Sequence, residues 1–156
     1  MTSLQNRTSR WFFRGPLQDE AIARLHYLVD RQKNLGLVLG EAGTGKSLLL
    51  QVMASESRGM GHNAAFVDLT GIGSQEFLWQ VAAELNWNPP RDGGDFRLHR
   101  ILSDGFLAAA IERRPVVLLL DNADLATVDA LAEVARIARD HVAHQNGPTT
   151  ILASRP

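Results

Sequence analysis

Apolar positions along the chain alternate between two rhythms, one with helical spacing and one of short unbroken runs. Ala21, Leu25, Leu28 and Val29 recur at the three-to-four-residue interval of a helix, and predict one from about Gln18 to Lys33. LGLVL, Leu35 to Leu39, is too short for a helix and reads as a strand. Residues 46 to about 57 return to helical spacing and end before Gly59 and Gly61, and AAFVDL, Ala64 to Leu69, predicts a second buried strand. Ser74 is placed to cap a helix reaching Leu85, and the turn-rich NPPRDGGD stops it. A helix from Phe96 to Glu112 precedes Pro115, and VVLLLD, Val116 to Asp121, is the most apolar strand of all. A helix from Val128 to Ala143 and a strand TTILAS, Thr149 to Ser154, complete the pattern. Strand and helix alternate four times, which predicts an α/β fold: a parallel sheet sandwiched by helices, with right-handed crossovers.

The length of 156 residues and an apolar fraction of 45% suit one packed domain. Residues 1–10 are polar and read as a frayed or disordered terminus. Trp11, Phe12 and Phe13 read as an aromatic anchor at the start of a core spanning 11–156. The net charge of −1 gives no general attraction to nucleic acid, and the absence of cysteine excludes disulfides and thiolate metal sites. With no signal-peptide pattern and no run of apolar residues long enough for a span, the chain reads as cytoplasmic. The five histidines show no metal-ligand spacing. His141 and His144, one helical turn apart, read as solvated.

Between the first strand and the next helix lies GEAGTGKS, Gly40 to Ser47, which fits the phosphate-loop pattern of a strand, a glycine-rich turn and a helix. A triphosphate needs many donors converging on a small volume, and only a backbone without side chains in the way wraps that closely. Gly40, Gly43 and Gly45 supply the curvature. The main chain of Gly40, Glu41, Ala42, Gly43, Thr44, Gly45, Lys46, Ser47 and Leu48 is the expected cradle, closed by the amino-terminal end of the helix. Lys46, one of only two lysines in the chain, brings positive charge to the β and γ oxygens. The Ser47 hydroxyl and the Asp121 carboxylate, at the end of VVLLLD, are the expected magnesium residues. The cofactors read from this pattern are ATP and Mg2+.

GEAGTGKS, VVLLLDNAD, the final strand running into SRP and the upstream WFFRGPLQDEAIARLHYLV segment together resemble an AAA-type P-loop ATPase domain. The likeness is greatest to bacterial secretion-pathway ATPases of the ExeA kind and, beyond them, to origin-recognition-like ATPases. That resemblance implies a strand order of 5-1-4-3-2, so strand four should lie between strands one and three. It also implies a core that stops at the sensor strand, lacking the fifth strand and the helical lid. Ser154 is then the sensor candidate. Arg155 is either a γ-phosphate contact or a terminal charge, and the aromatic triplet is either core or part of an adenine pocket.

One departure bears on catalysis. Such families carry glutamate directly after the strand-end aspartate, where it polarises the attacking water, and this chain has Asn122. An amide is no general base. Asp124, two residues on, either takes that part or caps the following turn. Two functions follow as expectations: an ATPase coupling hydrolysis to conformational change in a protein partner or an assembly, slowed by Asn122, or a nucleotide-dependent switch with little hydrolysis. A small-molecule kinase fits less well, since no lid-like segment lies between the second and third strands.

Overall fold

The computed structural model describes residues 15–156, so the readings for residues 1–10 and for Trp11, Phe12 and Phe13 fall outside the described residues. The elements are α1 (Pro16–Asp30), β1 (Leu35–Leu39), α2 (Lys46–Gly59), β2 (Asn63–Asp68), α3 (Ser74–Glu84), α4 (Asp95–Ile111), β3 (Val116–Asp121), a 3-10 turn (Ala123–Leu125), α5 (Val128–His144) and β4 (Thr149–Ser154). The four strands form one sheet in the order β1-β4-β3-β2, every neighbouring pair parallel. Strand four therefore lies between strands one and three.

β3 is buried along its whole length, which is why its sequence shows no polar alternation. Val117 and Leu119 point to one face, where they pack with Ile22, Leu25 and Val29 of α1 and Leu50 and Met53 of α2. Val116, Leu118 and Leu120 point to the other, against Phe77, Leu78 and Val81 of α3, Leu98 and Leu102 of α4, and Val134 and Ile137 of α5. The helices thus divide two against three across the sheet. On the first face α1 lies so close to β1 that a Cβ at Gly36 would sit 2.5 Å from Leu28 Cδ1.

The differences from the sequence expectation lie at element ends. Pro16 opens α1, where its missing N–H costs nothing, and the helix stops at Asp30 because the chain turns at Gln32, whose φ is 50°. The expected cap at Ser74 is not formed: Gly73 holds the N-cap position in an extended conformation and Ser74 is the first helical residue. Among the described helices only α5 has a side-chain cap, Thr127 Oγ1 accepting from Ala130 N at 3.1 Å. His141, read as solvated, is 9% exposed, with Nε2 3.0 Å from the Gln32 carbonyl. It sits on the inward stripe of α5 beside Ile137 and Ala138. Among the described residues no helix is long and apolar enough to cross a membrane.

β1 pairs only with β4, so its other edge carries unpaired backbone groups among the described residues, and Leu35, Leu37 and Leu39 stand 47%, 58% and 58% exposed on one face. An apolar stripe along an open edge favours self-association. Leu37→Lys is therefore expected to lower light scattering at high protein concentration while leaving the thermal midpoint within a few degrees of the parent's. The core makes the opposite demand. Phe77 is fully buried, and Phe77→Ala should lower stability by about 3–5 kcal/mol in a denaturant titration.

Candidate active site

Parallel pairing puts the carboxyl ends of all four strands along one edge of the sheet. Gly40 follows β1, Ser154 ends β4, Asp121 ends β3 and Asp68 ends β2. Asp68 and Asp121 are register partners.

At the β1 end the chain enters the glycine loop. Gly43 and Gly45 take φ values of 81° and 89°, in the left-handed region that residues with a Cβ rarely adopt. Gly45 is the N-cap of α2, and Leu49 N donates to its carbonyl at 2.9 Å, so the N–H groups of Lys46, Ser47 and Leu48 form the open first turn of the helix. Ala42, Gly43 and Gly45 also find no backbone acceptor for their N–H groups among the described residues. The loop is braced from within. Thr44 Oγ1 donates to the Glu41 carbonyl at 2.8 Å, and Lys46 Nζ donates to the carbonyls of Gly40 and, at 2.8 Å, Glu41. Gly40 N donates to Ser154 O at 3.2 Å, tying the loop's entry to the end of β4. Converging N–H groups, a helix amino terminus and a lysine fit a polyphosphate.

The β3 end is a second group. Asp121 is 4% exposed, and its Oδ1 accepts from Asn122 N at 2.9 Å. Asn122 is left-handed, at φ 55° and ψ 46°, and turns its amide towards β2, where Nδ2 donates to Asp68 Oδ1 at 3.0 Å. The same oxygen accepts from Thr70 N at 3.0 Å and Thr70 Oγ1 at 2.7 Å. The Thr70 hydroxyl first, and then the Asn122 amide and the Thr70 N–H, hold the Asp68 carboxyl below its ordinary pKa against the opposing effect of burial.

Asp124 and Arg155 form a third group. Arg155 Nε donates to Asp124 Oδ2 at 2.8 Å and Arg155 N to Oδ1 at 3.3 Å. The Asp124 pKa is lowered, first by that side-chain hydrogen bond. Ser154 Oγ donates to the Arg155 carbonyl at 2.8 Å. Of the residues singled out in the sequence, then, Gly40 to Leu48 form one continuous cradle, Asp121 and Asn122 adjoin each other, and Asp124 is engaged with Arg155. Asp68 and Thr70 escaped the sequence reading. The available signal was that AAFVD, like VVLLLD, is an apolar parallel strand ending in aspartate.

The AAA domain family matches residues 29–156. The chain belongs to that family. It is an AAA-type P-loop domain, and its fold agrees with solved structures. Cdc6p from Pyrobaculum aerophilum superposes with a TM-score of 0.71 at 16% identity, over 92% of this chain and 40% of that one. The Aeropyrum pernix ORC2 protein, solved in ADPNP and ADP complexes, gives 0.62 at 15% identity over 87% and 39%. C. elegans PCH-2 gives 0.56 at 15% identity over 93% and 39%. The chain thus spans about two-fifths of the length of each of these proteins. No curated protein matches the sequence.

Proposed function

We propose that this AAA domain, taken as residues 11–156, binds ATP with magnesium in the Gly40–Leu48 cradle and hydrolyses it, coupling the reaction to a conformational change in a protein partner or in its own assembly. The observation that carries this reading is the left-handed glycine loop feeding straight into the open first turn of α2, with the Lys46 ammonium inside it. Gly40, Glu41, Ala42, Gly43, Thr44, Gly45, Lys46, Ser47 and Leu48 hold the phosphates. Ser47 and Asp121 hold the magnesium ion, whose contribution is to offset charge on the phosphate oxygens. Asp121 suits that part because a buried carboxylate needs a cationic or hydrogen-bonded partner. Ser154 and Arg155 stand at the end of β4, next to the loop entry that Ser154 O anchors. The ADPNP and ADP complexes of the Aeropyrum pernix protein support adenine nucleotide as the ligand. The ExeA kind remains our preferred branch, on the motifs quoted above, and dependence on ATP suits a cytoplasmic setting.

A second reading, a nucleotide switch with little hydrolysis, is favoured by one observation. The residue after Asp121 is an amide and not a carboxylate.

Lys46→Ala should abolish binding of a fluorescent ATP analogue while leaving the circular dichroism spectrum unchanged, because among the described residues the Lys46 ammonium donates to the loop carbonyls of Gly40 and Glu41 and to no core group. Unchanged affinity would exclude the cradle. Asp121→Asn keeps the shape and removes the charge, so magnesium should strengthen ATP binding far less in this variant than in the parent. Superimposable magnesium titrations would remove Asp121 from the metal site.

A further inference from the structure

We propose that Asp68, at the end of β2, is the carboxylate that orients the attacking water and takes its proton, and that Asn122 is its positioning residue. This inference rests on the hydrolytic reading above.

General-base assistance to hydrolysis needs a group such as a carboxylate with an oxygen free to accept the proton of the attacking water. Asn122 has no basic atom. Asp121 is buried, and its charge is assigned to the metal. Asp124 has both oxygens occupied by Arg155. Asp68 is different. Its three hydrogen bonds, from Thr70 N, Thr70 Oγ1 and Asn122 Nδ2, all fall on Oδ1, and Oδ2 accepts from no group among the described residues. The side chain is exposed, so water reaches it. It is also fixed, because donors from two different segments clamp one oxygen and thereby aim the other.

The placement is built into the sheet. Asp68 and Asp121 pair in register, and Leu69 N donates to Asp121 O at 3.0 Å, so the two strand ends are held side by side. Asn122 adopts a left-handed conformation that asparagine tolerates better than most residues, and this turn aims its amide at β2. The pair therefore carries its amide on β3 and its carboxylate on β2. In the step itself the water oxygen bonds to the γ-phosphorus as its proton passes to Asp68 Oδ2. The bond from phosphorus to the β–γ bridging oxygen breaks, its electron pair leaves with ADP, and inorganic phosphate is released. Asp68 then returns the proton to solvent.

The test is single-turnover hydrolysis of saturating Mg-ATP by the full chain, with affinity measured separately by titration of a fluorescent ATP analogue. Asp68→Asn and Asp68→Ser should each lose about 10- to 100-fold in rate with affinity within about twofold of the parent's. Two variants guard against one failing to fold, and melting curves check both. The exchanged pair, Asp68→Asn with Asn122→Asp, should recover at least about tenfold of the rate lost by Asp68→Asn alone, a coupling that a structural role would not produce. Absence of recovery would overturn the paired action. A parent that hydrolyses ATP alongside variants of equal rate would overturn the role of Asp68 and leave the ATPase reading standing. A parent that binds ATP without hydrolysing it, or does not bind it, would overturn both.

Discussion

The parallel direction of the four strands is the constraint on which the site depends. Because every strand runs the same way, the loop after β1, the aspartates that end β2 and β3 and the serine that ends β4 emerge along one edge without any loop having to bring them there. Parallel pairing requires long crossovers, and these supply the helices that bury both faces of β3. The burial that holds the sheet together and the convergence that makes a site are consequences of the same topology.

Within that edge the glycine loop is held by few bonds. Its entry is fixed by Gly40 N on Ser154 O and its exit by the first hydrogen bond of α2, and between them lie Thr44 and Lys46 contacts to the carbonyls of Gly40 and Glu41. The left-handed conformations of Gly43 and Gly45 would cost a residue with a Cβ about 1–2 kcal/mol each. That cost, and not any packing contact, explains why the positions are glycine, since a Cβ at either would meet nothing within 4 Å.

What the sequence made legible follows from where the information is local. VVLLLD reads as a doubly buried strand because all six positions are buried, and GEAGTGKS reads as a cradle because its geometry is set by glycines within eight residues. Strand order followed from the resemblance and not from the hydrophobic pattern, which carries no information about neighbours. The Asp68–Asn122 contact joins residues 54 apart and exists only because β2 and β3 pair in one particular register. His141 was misread for a related reason. Whether a histidine on an amphipathic helix faces inward depends on what packs against it, here the Gln32 carbonyl, 109 residues away. The Ser74 cap failed on a smaller scale, with the extended glycine before it taking the N-cap position.

Residues 121–125 give the edge its asymmetry. From this short segment one side chain reaches sideways to β2, Asn122 to Asp68, and another reaches to the end of β4, Asp124 to Arg155. The segment can serve both neighbours because the left-handed Asn122 breaks the strand and the 3-10 turn at Ala123–Leu125 redirects the next side chain. Arg155 follows Ser154, whose carbonyl holds the loop entry at Gly40, so hydrogen bonds, joined through short stretches of backbone, link the phosphate loop, β4, the turn after β3 and the end of β2. The links differ in character. The Asp124–Arg155 pair is exposed and weak in water, whereas the Asn122–Asp68 contact is backed by Thr70 and by the register of two paired strands. A nucleotide that drew Arg155 away would therefore release the β4 side of the turn first and leave the carboxylate on β2 in place.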